Sequence, residues 1–222
     1  MYEALRGRRR VLEVWATDRA AREPWLPAGT RRAGAEEIDA RCGSSEHQGV
    51  CAEVEAYPYA QAERLLEPED ALVVCLDEIQ DPGNLGAICR TAECAGAAGV
   101  VIPERRAAEV TPAVCRASAG AVEHLEVART RNLADFLEHA KREGAWCYGA
   151  ASGGAVPWTR PDFGGRVVIV LGAEGRGLRP RVAAACDELL SLPLRGRVES
   201  LNVSATAAAL LYEVLRARGL GG

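Results

Sequence analysis

Residues 167–178 read Val-Val-Ile-Val-Leu-Gly-Ala-Glu-Gly-Arg-Gly-Leu. The first five are continuously apolar, which predicts a strand buried on both faces of a parallel sheet rather than a half-exposed strand. The glycines that follow, at 172, 175 and 177, permit positive φ and let a ligand approach the backbone. This stretch therefore predicts a ligand site just beyond the end of a central strand.

Similar apolar runs recur on both sides of this strand. They predict a mostly parallel α/β sheet with strands at 71–76, 99–102, 124–127, 145–150, 166–171 and 188–192. Amphipathic stretches between them predict helices at 85–95, 112–119, 133–143 and 178–186, with a long final helix within 201–218.

The first part of the chain has a different pattern. Residues 1–57 predict a small mixed α/β domain that begins inside a helix, so we expect its first strand to be missing. Residues 1–32 hold eight Arg against four acids. Residues 58–70, with Pro58 and Pro68, predict a linker, and 71–222 predict the second domain.

Composition excludes several classes of protein. No run of eighteen apolar residues and no apolar leader is present, so we expect a cytoplasmic protein without a membrane segment. The eight cysteines lack a CxxC pair and the histidines lack metal-ligand spacing, so we expect reduced thiols and no metal.

The net charge of −4 argues weakly against a nucleic-acid partner. A basic group nevertheless brackets two loops: Arg176, Arg179, Arg181, Arg195 and Arg197.

Two more loops carry polar residues at the ends of predicted strands. In the first, Asn84 is predicted to cap the helix that follows, and Arg90 lies off that helix's apolar stripe. In the other, which follows the glycine loop in the chain, Ser200, Asn202 and Ser204 lie together at the start of the final helix. Capping would explain one of these three, and a solvated surface position would explain Arg90.

The glycine loop is not one of the common nucleotide motifs. Its spacing is GxxGxG rather than GxGxxG, and no GK[ST] segment occurs. A dinucleotide oxidoreductase and a P-loop nucleotide hydrolase are therefore disfavoured.

The order of the three loops resembles the SpoU/TrmH family of RNA ribose 2'-O-methyltransferases, within the SPOUT superfamily. Its three motifs resemble 84–90, 171–178 and 192–204, and the likeness covers 71–218. His47-Gln48-Gly49-Val50 resembles the segment that ends the N-terminal domain of the large-subunit rRNA guanosine branch. The resemblance implies a SPOUT-type α/β knot, in which the C-terminal segment threads a loop, with a small N-terminal RNA substrate-binding domain.

The resemblance also implies a cofactor and a reaction. S-adenosylmethionine (AdoMet) would bind bent against the knot loops, without a metal, at Gly172, Leu192, Leu201, Ala150 and Ala151. A methyl group would pass to a ribose 2'-hydroxyl of RNA, most specifically of 23S large-subunit rRNA. The implied catalytic residues are Arg90, Asn84, Glu174, Ser200 and Asn202, with Arg90 acting across a homodimer interface.

Two alternatives remain open at this point. A tRNA ribose methyltransferase would have the same fold without the small N-terminal domain. A non-catalytic RNA-binding factor would keep the fold without the activity.

Overall fold

A computed structural model describes residues 1–220 of the chain. They form two compact units, Met1–Pro58 and the described residues from Tyr59 onward. The last two residues of the predicted second domain, Gly221 and Gly222, lie outside the described residues.

The first unit is a small mixed α/β domain, as predicted. It contains α1 (Tyr2–Arg6), β1 (Val11–Ala16), β2 (Arg31–Arg32), α2 (Ala35–Cys42) and β3 (Val50–Val54). Its three strands lie in the order β2-β1-β3, where β1 is parallel to β2 and antiparallel to β3. His47 joins α2 to β3, because its Nε2 lies 2.7 Å from Asp39 Oδ1 while its Nδ1 accepts the Gly49 N–H.

The second unit is built on one eight-stranded sheet. Its strands are β4 (Ala60–Gln61), β5 (Leu72–Asp77), β6 (Gly99–Pro103), β7 (Val127–Thr130), β8 (Trp146–Ala150), β9 (Val156–Pro157), β10 (Val167–Gly172) and β11 (Glu188–Ser191). They lie in the order β4-β7-β6-β5-β10-β8-β11-β9, and all of the strand pairs are parallel. The predicted parallel sheet is confirmed.

Helices cover both faces of this sheet. They are α3 (Pro82–Cys94), α4 (Pro112–Ala117), α5 (Leu133–Arg142), α6 (Pro180–Ala185) and α7 (Val203–Ala217). Helices α5 and α6 share one apolar core with alternate residues of β5 and β10, such as Val73 and Val168. Helices α3, α4 and α7 pack together, with α7 against β10 and α3 against β6. The central strands are thus buried on both faces, as the unalternating apolar runs predicted.

The structure differs most from the sequence-based prediction in two segments. The strand predicted at 124–127 begins only at Val127 and continues to Thr130. The backbone N–H groups of His124 and Leu125 both donate to the Ala121 carbonyl of a preceding 3₁₀ turn, Ala121–Glu123, so these residues close the turn instead of joining the sheet. The predicted linker 58–70 belongs to the second unit from Tyr59 onward. It forms β4 and a 3₁₀ turn whose Leu65 and Leu66 are buried, so apolar contacts fix this segment to the sheet.

Candidate active site

The carboxyl ends of β10, β8 and β11 open onto a cavity of about 350 Å³. All five positions expected to hold the cofactor line it: Ala150, Ala151, Gly172, Leu192 and Leu201. They come from three separate loops, which converge because parallel strands end at the same edge of a sheet. We call this space the loop cavity.

Gly172 is required where the glycine loop folds back on itself. A Cβ at this position would lie 2.2 Å from the Gly177 carbonyl carbon and 2.4 Å from the Leu178 nitrogen. The turn is closed by a 2.8 Å hydrogen bond from the Gly177 N–H to the Ala173 carbonyl. No side chain fits in this gap, so the close approach of two backbone segments shapes the floor of the loop cavity.

Three polar side chains from the three motifs meet beside the loop cavity. Asn202 Nδ2 donates to Glu174 Oε1 at 2.7 Å and to Asn84 Oδ1 at 3.0 Å. Asn84 Nδ2 also donates to Glu174 Oε1, at 3.2 Å. Along the sequence, Glu174 and Asn202 are 28 positions apart, Asn84 and Glu174 are 90 apart, and Asn84 and Asn202 are 118 apart. The motif cluster Asn84–Glu174–Asn202 therefore ties the three loops together.

The N-caps of α3 and α7 determine which atoms of Asn84 and Asn202 are available to the motif cluster. Asp81, not Asn84, is the N-cap of α3, and its Oδ1 accepts the Asn84 N–H at 2.7 Å. The prediction that Asn84 caps this helix is wrong, because Pro82 occupies the first helical position, where its missing N–H costs nothing. On α7 the prediction of capping is confirmed, since Asn202 Oδ1 accepts both the Ser204 N–H and the Ser204 hydroxyl.

The other two predicted catalytic residues occupy different places. Ser200 is exposed and lines the loop cavity. Arg90 lies on α3, is exposed, and forms no hydrogen bond or ion pair with residues 1–220. It follows Asn84 by six positions, which places it about 9 Å further along the axis and on another face of the helix. Within one chain, Arg90 is not among the residues that line the loop cavity.

Sequence reasoning missed an ion pair between a buried carboxylate and an arginine that follows the glycine loop. Asp77, 1% exposed at the end of β5, accepts the Arg179 backbone N–H at 2.8 Å and the Arg179 Nε at 2.7 Å. This hydrogen bond raises the pKa of Arg179, so the guanidinium stays charged. An acid that ends an otherwise apolar strand was the available signal, and it marks an anchor for the segment that leaves the loop.

Cysteine side chains near the site are not nucleophiles. Burial raises the pKa of the Cys75 thiol well above its usual range and raises the pKa of Cys186 to about 12. Neutral thiols of this kind are unreactive at physiological pH. Within residues 1–220, no three His, Cys, Asp or Glu side chains are grouped so that they could hold a metal ion, and no helix of that part of the chain is long and apolar enough to cross a membrane.

Comparison with known proteins assigns this arrangement. Residues 71–212 match the model of the SpoU rRNA methylase family. This chain belongs to the SpoU rRNA methylase family. It is 37% identical to the TrmH family tRNA/rRNA methyltransferase YacO of Bacillus subtilis, over 96% of this chain and 94% of that protein.

Solved structures of related enzymes have the same fold. An AdoMet-bound rRNA methyltransferase from Sinorhizobium meliloti superposes with a TM-score of 0.82 at 26% identity, covering 96% of this chain and 83% of that one. A protein solved in a study of the 2-OH methylation of C/U34 on tRNA superposes with a TM-score of 0.61 at 26% identity, covering 67% of this chain and 97% of that one. The chain is an RNA methyltransferase with the SPOUT-type α/β fold that its sequence predicted.

Proposed function

We propose that this SpoU-family chain transfers a methyl group from AdoMet to a ribose 2'-hydroxyl of large-subunit rRNA. The observation that carries the proposal is the meeting of three motif loops at one cavity, with the motif cluster Asn84–Glu174–Asn202 beside it. We further propose that it works in the cytoplasm, where its rRNA substrate is made in bacteria such as Bacillus subtilis, the source of its relative YacO.

The loop cavity fits AdoMet by size and chemistry. Its volume, about 350 Å³, lies in the range of about 300–1,000 Å³ typical of small-molecule sites. Leu192 and Leu201 offer apolar surface for a flat base, and the glycine loop offers exposed backbone groups for hydrogen bonds. When bound, AdoMet supplies an electrophilic methyl group on a sulfonium.

The chain's own residues supply alignment. The motif cluster holds the three loops in one arrangement, which fixes the wall of the loop cavity where the ribose would approach. Ser200 shapes its rim. Arg90 carries five donors on a permanently charged group, which suits it to orient a hydroxyl and a phosphate rather than to remove a proton.

A homodimer accounts for the position of Arg90. Arg90 is exposed on α3, which packs against α7, and α7 presents Tyr212 at 53% exposure. Pairing two copies through these helices would bury Tyr212 and bring Arg90 to the partner's loop cavity. We therefore propose a dimer in which each active site combines one chain's motif cluster with the partner's Arg90.

A complementation experiment tests this shared site. Arg90→Ala removes the arginine, and Leu192→Arg fills the loop cavity, so each variant alone should be inactive. When the two are coexpressed, half of the dimers are mixed and each mixed dimer has one complete site, so about a quarter of wild-type activity should return. Arg90 acting within its own chain would give no recovery.

Large-subunit rRNA is favoured over tRNA by the first unit. Residues 1–32 carry a net charge of +4, which suits contact with phosphates. The match to the rRNA enzyme covers 96% of this chain, whereas the match to the tRNA-related protein covers 67%. A tRNA enzyme would not need the additional third of the chain.

Two measurements separate the proposed activity from the alternatives. Ribose methylation mapped on rRNA from a deletion strain should show one missing position, which the purified protein and AdoMet should restore. A non-catalytic RNA-binding factor would leave the methylation map unchanged. Calorimetry should show binding of AdoMet and not of a nicotinamide dinucleotide.

A further inference from the structure

A second cavity lies at the other half of the same sheet edge. It has a volume of about 370 Å³ and lies beyond the carboxyl ends of β5, β6 and β7. Five of its lining residues are arginines: Arg105, Arg106, Arg131, Arg179 and Arg181. The lining includes one acid, Glu78. We call this space the arginine cleft.

Several of these arginines are available to an anion from solution. Arg105 forms no hydrogen bond or ion pair with any residue of the described range 1–220. The side chain of Arg131 is 90% exposed, and its Nε lies 3.8 Å from Glu104. Arg181 Nη2 lies 2.5 Å from Asp135 Oδ1, and the two side chains are 71% and 63% exposed. Exposed pairs of this kind contribute about 0–1 kcal/mol, so a phosphate can replace the carboxylate partner.

The loops after β5 and β6, which form walls of the arginine cleft, are held together by side-chain and backbone contacts. Glu78 and Arg106 both have positive φ, 60° and 59°, and their side chains form an ion pair at 3.5 Å. The Ala108 N–H donates to the Ile79 carbonyl at 2.8 Å, which joins the two loops. Non-glycine residues keep such conformations only where the surrounding structure holds them, and they concentrate at binding sites.

A helix terminus adds to the positive potential. Asn132 and Ala134, at the start of α5, line the arginine cleft. Helix α5 has ten residues, so its N-terminus carries a partial positive charge that favours an anion. The arginines and the helix terminus therefore act on the same space.

The arginine cleft and the loop cavity share one segment. Gly177 lines the loop cavity, while Arg179 and Arg181 line the arginine cleft. The middle strands of the two sites, β6 and β8, are three strand spacings apart in the sheet, which is about 14 Å. That separation spans a few nucleotides of a single RNA strand.

We infer that the arginine cleft binds backbone phosphates of the same RNA strand whose ribose lies at the loop cavity. The inference rests on the proposed function and adds to it a place where the flanking nucleotides are held. Guanidinium groups recognise phosphate oxygens through paired hydrogen bonds, so the cleft positions the strand without reading its sequence.

The test compares two double variants of the full chain with equal loss of charge. Arg105→Ala/Arg131→Ala removes the least restrained arginines of the cleft. Arg64→Ala/Arg142→Ala is the control. Arg64 has a weak ion pair to Glu67 at 3.9 Å, and within residues 1–220 the side chain of Arg142 bonds only to the Glu138 carbonyl. Both control residues lie on segments that lead into the amino ends of the strands, at the opposite edge of the sheet.

The readout is the salt dependence of binding to a large-subunit rRNA transcript. Each phosphate contact on a single strand contributes about 0.7 to the slope of log affinity against log salt. Between about 50 and 200 mM salt, the wild type and the control should each lose about 7-fold more affinity than the cleft variant. AdoMet affinity and melting temperature should be equal in all three proteins.

The possible results separate two failures. If the cleft variant keeps the wild-type slope while the wild type methylates RNA, the arginine cleft is not a phosphate site although the proposed function stands. If the wild type neither binds nor methylates the transcript, the proposed function itself is wrong, and the inference is overturned with it.

Discussion

Substitution of Gly172 by alanine should damage the loop cavity. The added Cβ would meet the Gly177 carbonyl carbon at 2.2 Å, whereas carbon atoms in contact lie about 3.5–4.0 Å apart. The obstacle is backbone, which cannot rotate away, so the two segments must separate by more than about 1 Å. A displacement of that size at an active site costs about 100-fold in rate.

The stability of the second unit should fall as well. Overpacking of a close-packed site costs about 1–3 kcal/mol, which lowers the melting temperature by about 2–12 °C for a chain of this size. The assays are calorimetric titration of AdoMet, methyl transfer to rRNA and thermal unfolding. Gly196→Ala is the matched control, because a Cβ at Gly196 meets nothing within 4 Å and the backbone there is not left-handed. Equal AdoMet affinity and melting temperature in the two variants would refute the role assigned to Gly172.

Three further predictions concern single contacts. Glu174→Ala should lower kcat/KM by about 10–100-fold. Glu174→Gln should retain more activity, because its side-chain carbonyl oxygen can still accept from the amides of Asn84 and Asn202. Equal losses in the two variants would contradict the role of the motif cluster. Asp77→Ala should cost about 1–3 kcal/mol in chemical denaturation, since it removes the carboxylate that accepts from the Arg179 backbone N–H and Nε, and an unchanged midpoint would contradict this. The hydrogen bond from the Arg216 guanidinium lowers the pKa of Glu213 in the folded protein. The pair therefore stabilises the fold fully at pH values above the ordinary pKa of the carboxyl, and this stabilisation is lost as the pH falls through the lowered pKa. The melting-temperature gap between wild type and Glu213→Gln should therefore be largest near neutral pH and close in acid.

The sequence predicted the sheet well because its central strands are buried on both faces. Runs such as 71–76 and 166–171 are too short and too apolar to be anything but interior strands between helices, and both strands are found within one residue of the predicted bounds. The strand predicted at 124–127 was misplaced because the backbone of His124 and Leu125 is bonded to the end of a 3₁₀ turn, where Leu125 is buried as it would be in a strand. Periodicity over four residues does not distinguish the two.

The loop cavity was predictable and the motif cluster was only partly so. Parallel strands place their carboxyl ends together, so loops after three such strands had to converge. Which side chains touch depends on the caps, because Asp81 occupies the role predicted for Asn84 and leaves the Asn84 amide free. A contact across 118 positions, such as Asn84 to Asn202, has no signature in local sequence.

The basic group that brackets two loops is visible in the sequence, but its structural role is not. The fold divides it, because Arg176 lines the loop cavity while Arg179 and Arg181 line the arginine cleft. Arg105 and Arg131 complete the cleft from loops after β6 and β7, and no regular pattern links those loops to the glycine loop. Only the strand order, with β5 beside β10, brings them to one edge.

The register of β5 and β10 explains why one ion pair serves both sites. Gly172 pairs with Asp77 across these strands, so the last residue of the glycine-loop strand lies beside the carboxylate that anchors Arg179. The segment from Gly172 to Arg179 is thus held at one end by backbone packing that excludes a side chain and at the other by a buried acid. Because both cavities take part of their walls from this segment, a change that releases Arg179 should disturb AdoMet binding and RNA binding together, whereas a change at Arg105 should disturb RNA binding alone.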